Sequence, residues 1–208
     1  MLVRIHNDSV EIDGYVNAIE RKSKVLRSRI GSFVERICKG AFKRALEKND
    51  DVRILLNHNW QRDLGGTKDG SLQLEEDAIG LHARAIIKDE DVIDKARAGR
   101  LVGWSFGFDD EPGGVDNTTE NGMAVRDVRD MKLYEVSLLD DSKSPAYEGT
   151  LVSVRDDGKT QYYGEAMMPE KIEYRTEDDQ QDKPDQQDPE PVIDYSEYEK
   201  ILDEIRRM

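Results

Sequence analysis

Three histidines, one cysteine and one serine set between glycines carry most of the chemistry open to this chain. The serine is Ser105, in the stretch VGWSFGFDDEPGG (Val102–Gly114). On a β-strand, side chains alternate between faces, so Trp104, Phe106 and Phe108 share one face and Ser105 points to the other with Gly103 and Gly107. The flanking glycines leave space around the hydroxyl. That space suits a strand that bends or is crowded by another element. The sharper reading is a nucleophile presented to a cleft, and a nucleophile needs a base and an acceptor that orients the base.

An imidazole titrates near neutrality and so takes up and returns a proton readily. His6 lies in a polar stretch, and His82 lies in GLHARA on a predicted strand. His58 ends the strongly apolar ILLNHN, just before Trp60. A strand end that opens into a loop holds a base firmly while leaving it accessible. The orienting group is sought among carboxylates in apolar surroundings. Glu135 in KLYEVSLL is flanked by Leu133, Tyr134, Val136 and Leu138, and a lone carboxylate there is costly to bury unless paired. Asp140 and Asp141 are the alternates, and Ser137 shares the face of Glu135. The chemistry implied is acyl transfer, with oxyanion donors from backbone N–H groups or from Arg126 and Arg129. Cys38, His58 and His82 show no recognisable metal-ligand spacing. No metal or cofactor is expected.

These residues need strands to hold them. LVRIH and SVEIDGYVNAI read as two strands joined by a turn at Asn7 and Asp8. ERKSKVLRSRIG reads as a mobile loop, SFVERI as a short strand and GAFKRALEKND as a helix. DVRILLNHN is a strand, and SLQLEED with IGLHARAII forms a hairpin. DEDVIDKARAGRL reads as a helix with Val92, Ile93 and Ala96 on its apolar face and Gly99 at its end. The serine strand follows. DEPGGVDNTTENG is read as a turn-rich loop, MAVRDVRDMKLYEVSLLD as one or two strands, and SPAYEGTLVSV as the close of the folded part. Short strands with few helices predict a β-rich α+β domain, closed or nearly closed as a barrel with helices outside.

A chain of 208 residues holds one such domain plus a tail. Its formal charge of −14 argues against nucleic acid as a partner. Arg155–Met208 holds 8 basic against 17 acidic residues, so the tail carries most of the excess. The predicted domains are residues 1–154 as the folded domain, 155–193 as an acidic disordered linker, and 194–208 as an amphipathic helix through Tyr195, Tyr198, Ile201, Leu202 and Ile205. The single cysteine rules out an internal disulfide and fits a reducing cytosol. No apolar run reaches membrane-spanning length and no signal peptide is read, so no membrane partner is expected.

The order His58, Ser105, Glu135, in the contexts LLNHN, GWSFGF and LYEVSLLD…PAY, resembles the HK97-type phage prohead (capsid maturation) serine proteases. GYVNAI, KGAFKRAL, LGG, EEDAIGLHARA and ARAGRLVGWSFGF match in order, over roughly Gly14 to Leu151. Each piece alone is weak; the ordered set is specific. The resemblance implies a serine endopeptidase with a β-barrel core related to the herpesvirus capsid-assembly proteases. It implies packaging inside the phage procapsid in the bacterial cytoplasm. The implied substrates are the scaffolding segment of the major capsid protein, or a separate scaffold protein, and the enzyme itself. Carried over, Ser105 is the nucleophile, His58 the base and Glu135 the third member. Related viral enzymes are activated as dimers, which suggests a homodimer. The alternative is a catalytically idle internal scaffold of the same fold.

Overall fold

Alternating burial organises the chain, described in a computed structural model for residues 1–28, 31–142, 152–154, 160–163 and 171–176. β1 (Leu2–Ile5) and β2 (Val10–Ala18) bury Val3, Ile5, Val10 and Ile12 and turn at Asn7 and Asp8. β2 pairs with β8 (Gly80–Ile87), and β8 forms a hairpin with β7 (Leu72–Glu76). β15 (Glu173–Thr176) runs parallel to β1 and completes a first sheet in the order β15-β1-β2-β8-β7.

A second sheet has the order β10-β11-β4-β3, from β10 (Val115–Glu120), β11 (Met123–Val128), β4 (Gly31–Ile37) and β3 (Leu26–Ser28). The third carries the serine strand. Its order is β13-β14-β9-β12-β5-β6, from β13 (Val152–Val154), β14 (Thr160–Tyr163), β9 (Leu101–Asp110), β12 (Met131–Asp140), β5 (Arg53–Leu56) and β6 (Asn59–Gly66). Among the described residues there are two helices. α1 (Ala41–Lys48) buries Phe42 and Ala45 and packs on β12. α2 (Glu90–Arg97) starts at Asp89, whose carboxylate accepts the Val92 N–H at 3.0 Å, and gives way to Gly99 at φ 66°. That positive φ is where glycine is needed to leave a helix, and the chain passes straight into β9.

The core converges on the aromatic face of β9. Trp104, Phe106 and Phe108 have no exposed surface. Phe106 meets the edge of Phe42 from α1 at 5.2 Å and stacks on Phe108 at 5.4 Å. The strand that carries Ser105 is thus anchored from behind by rings that fill their space.

The β-rich α+β class is observed, but the closed barrel is not. Strand pairing among the described residues leaves three open sheets, the third ending at β13 and β6. Alternation in sequence dictates which face of a strand is buried; it carries no information on whether two sheet edges meet. Two stretches read as loops contain strands. Leu26, fully buried, anchors β3, and DEPGGVDNTTENG contains β10, paired with β11 from Val115↔Val128 to Glu120↔Met123. β14 and β15 lie beyond Val154, inside the stretch read as linker, and the compact unit runs Met1–Glu177. The predicted helix at 194–208 and the rest of that linker lie outside the described residues.

Phe106→Ala is expected to cost about 3–5 kcal/mol, since it empties a fully buried ring site next to two other rings. Urea unfolding followed by tryptophan fluorescence measures it, and the loss should exceed that from truncating exposed Ile79.

Candidate active site

The pairing of β9 with β12 sorts their side chains into two sets. Phe108, Phe106 and Trp104 stand opposite Leu133, Val136 and Leu138, and Gly107, Ser105 and Gly103 stand opposite Glu135, Ser137 and Leu139. The sorting depends on a register shift between Leu133 and Glu135, where Tyr134 is the extra residue. Without this bulge, Glu135 would share the face of Leu133 and point among the aromatic rings. The bulge places it with Ser105, and the Tyr134 hydroxyl leaves sideways to donate to Asp109 Oδ2 at 2.7 Å. Gly107, opposite Glu135, brings no side chain to compete for the space.

His58 arrives from the neighbouring strand. β5 runs parallel to β12, with Leu55 opposite Ser137 and Leu56 opposite Leu138. β5 then reverses into β6 through only Asn57 and His58, with Leu56 paired to Asn59. Both turn residues have positive φ, 57° and 59°, the pattern of a type I′ hairpin. Asparagine tolerates that region, whereas a histidine held there is strained by about 1 kcal/mol. Three contacts hold it. Asn57 N–H donates to Leu138 O at 2.9 Å, Asn57 Nδ2 donates to Asp140 Oδ1 at 2.9 Å, and Asp140 N–H donates back to Asn57 Oδ1 at 3.1 Å. The histidine therefore sits in the tight turn itself rather than at a strand end opening into a loop.

From that turn the imidazole reaches Glu135. His58 Nδ1 lies 2.7 Å from Glu135 Oε1, and the other carboxylate oxygen accepts the Ser137 hydroxyl at 2.6 Å. The Ser137 Oγ accepts the His58 backbone N–H at 2.9 Å. These three bonds close a circuit that fixes both ring and backbone of His58. Glu135 and Ser137 have no exposed surface, Ser105 is 2% exposed and the His58 side chain 19%. Ser105 is the direct cross-strand neighbour of Ser137, a relation that puts Cβ atoms about 5 Å apart on one face. The structure thus joins His58 to Glu135 and sets Ser105 beside the serine that links them.

The family model for caudovirus prohead serine proteases matches residues 2–163. The chain belongs to that family. No curated protein and no solved structure gives a significant match. The match covers β1 through β14 and so includes every member of the circuit.

For this prohead protease family member, the alternates and bystanders fall into other roles. Asp140 grips Asn57 rather than His58. Burial pushes its carboxyl up, but hydrogen bonds from Ser142 and Asn57 and the nearby Lys95 charge outweigh that and hold it below the usual value. Asp141 pairs with Arg100 at 3.0 Å. Arg126 donates to Glu35 at 3.2 Å and to Asp110 at 2.7 Å, and Arg129 pairs with Asp116. Burial, opposed by Arg126 and reinforced by Asp110, raises the Glu35 carboxyl to about 7. Arg126 thereby ties the second sheet to the end of β9. His82 pairs with Asp13 at 2.9 Å in the first sheet, and Cys38 follows β4, so the three residues weighed as metal ligands sit on different sheets. Asn57 was not singled out from sequence; an asparagine preceding a polar residue at the end of an apolar run is the turn signal that points to it.

Ser137→Ala removes the middle of the circuit and leaves a buried carboxylate oxygen and a backbone N–H unsatisfied. It is expected to cost about 1–3 kcal/mol of stability and to slow labelling of Ser105 by a fluorophosphonate about 10–100-fold. Ser137→Thr, which keeps the hydroxyl, should recover most of the labelling rate, a rescue that a purely packing role would not produce.

Proposed function

We propose that the chain is a serine endopeptidase that cleaves the scaffolding segment of the major capsid protein, or a scaffold protein, and then itself, inside the phage procapsid in the host cytoplasm. The observation that carries the reading is the His58 Nδ1–Glu135 contact of 2.7 Å with a fully buried carboxylate. A carboxylate only accepts, so Nδ1 carries the proton and the Nε2 lone pair is left to act as a base. In this mechanism Ser105 Oγ adds to the scissile carbonyl carbon as its proton passes to His58 Nε2. The C–N bond then breaks and the imidazolium returns the proton to the leaving amine. Water repeats the sequence on the acyl-enzyme and releases the acid and Ser105. Glu135 stabilises the imidazolium without taking the proton.

A catalytically idle scaffold of the same fold is the rival, and the 2% exposure of Ser105 favours it. Co-expression with the neighbouring capsid gene, followed by intact-mass measurement of both products, separates the two. Wild type is expected to shorten the capsid or scaffold protein, and Ser105→Ala to abolish that while the protein stays folded, at a cost of about 0.5–1.5 kcal/mol for the buried hydroxyl. His58→Ala should abolish processing nearly as fully and also lose about 1–3 kcal/mol, because it strands the Glu135 carboxylate. Glu135→Gln should be milder and keep measurable activity. Processing at the wild-type rate by Ser105→Ala would remove the nucleophile assignment, and no processing by wild type would favour the scaffold.

The acidic segment beyond Glu177 lies outside the family match. We assign it to recruitment into the assembling shell, through a helix that docks on another protein. The cut that tests it belongs after Glu177, because β14 and β15 pair within the folded unit. The shortened chain is expected to cleave peptide normally and to be poorly incorporated into procapsids. Normal encapsidation would place the recruiting surface on the folded unit instead.

A further inference from the structure

β9 has two edges, and they differ in what lies on them. Along one, β12 is paired from Met131 to Asp140, with β5 and β6 beyond. No substrate backbone enters there without dismantling the sheet. A polypeptide that pairs its main chain with the nucleophile strand must use the other edge, and at Gly107 and Phe108 that edge carries β14. The pairing is antiparallel, Tyr162 opposite Phe108 and Tyr163 opposite Gly107. Ser105 is two residues further along β9, in the direction in which β14 advances. An extended chain bound antiparallel with its reacting carbonyl at Ser105 would lay its preceding residues along Gly107 and Phe108, the ground that β14 holds. The low exposure of Ser105, 2%, agrees with a site that is covered rather than open.

We propose that β14 is a tethered occupant of the substrate-binding edge: it lies where the residues preceding the scissile bond of a substrate bind, and an incoming polypeptide must displace it. This deepens the reading of Ser105 as nucleophile and rests on it. An added strand gains affinity from main-chain hydrogen bonds that any extended sequence supplies. Four residues from the chain's own later part therefore suffice as a competitor, and their tether keeps the local concentration high. The arrangement restrains the protease until a substrate is presented densely, as on the inner wall of an assembling shell.

The test uses the full chain and two phosphorus probes. A small alkyl fluorophosphonate reaches Ser105 without using the edge. A diphenyl phosphonate built on Thr-Gln-Tyr-Tyr-Gly-Glu, the sequence that begins at Thr160, places its sixth residue opposite Ser105 in the β14 register. Hydrogen exchange is then read at Thr160–Tyr163 in each adduct of the wild-type protein. The proposal expects these amides to exchange roughly tenfold or more faster in the peptidyl adduct than in the small one. Equal exchange, slower exchange, or failure of the peptidyl probe to react where the small one does, overturns it and makes β14 a fixed wall of the site. In parallel, Tyr162→Pro and Tyr163→Pro are compared. N–H groups alternate in direction along a strand, so one of the two removes a donor aimed at β9. That variant should react roughly fivefold faster with the peptidyl probe, at an unchanged rate with the small one. An unchanged or slower peptidyl rate in both counts against the proposal. If the small probe fails to label the wild type, it is the functional reading itself that falls.

Discussion

Both oxygens of the Glu135 carboxylate are engaged inside the protein, one by the imidazole of His58 and one by the hydroxyl of Ser137. A carboxylate with no exposed surface is tolerated only under such conditions, since stripping it of water costs several kcal/mol that partners must offset. The need runs in both directions. Glu135 orients the ring of His58, and His58 makes the burial of Glu135 possible. Ser137 is the economical link, because a single hydroxyl donates to the carboxylate and accepts the His58 N–H. Every other feature of the site serves to bring these three groups, and Ser105 beside them, onto one face of one sheet.

Two backbone irregularities do that work. The bulge at Tyr134 rotates the following residues of β12 by one face, so that an apolar set continues on the aromatic side while Glu135 and Ser137 face Ser105. The tight turn at Asn57 and His58 keeps the imidazole within the width of a strand spacing of β12, where a longer loop would let it wander. Both cost local stability, and both are supported by contacts outside the circuit: Tyr134 by Asp109, Asn57 by Asp140 and through it Lys95. The aromatic core behind β9 supplies the rigidity that makes such local strain bearable.

The parts of this arrangement visible in the sequence are those with strong local signatures. The period of two in VGWSFGF separates Ser105 from the rings, and the same period puts Glu135 and Ser137 together, although only the bulge aligns them with Ser105. α1 and α2 are legible through apolar spacing and, for α2, through Asp89 and Gly99. β10 was hidden because VDNTTE has few apolar residues and is largely solvated, yet the Asn121–Gly122 pair after it, at φ 52° and 79°, is a hairpin signal that was there to read. The turn at His58 was hidden because the strong two-residue hairpin signals end in glycine, and here histidine stands in that place. The parallel pairings β12–β5, β11–β4 and β1–β15 join segments far apart in the chain, and no local pattern announces them. Whether sheet edges meet was illegible for the same reason, and so were β14 and β15, which are held by distant partners rather than by their own composition.

The proposed chemistry requires Glu135 to hold His58 in one tautomer, with the proton on Nδ1 and the lone pair on Nε2. Nitrogen NMR of the imidazole measures this directly on the neutral ring. A proton bonded to Nδ1 of His58, shifted downfield by its short hydrogen bond, is expected in wild type and in Ser105→Ala and should be lost in Glu135→Ala. A His58 ring protonated on Nε2, or an Nδ1 proton that survives removal of the carboxylate, would contradict it.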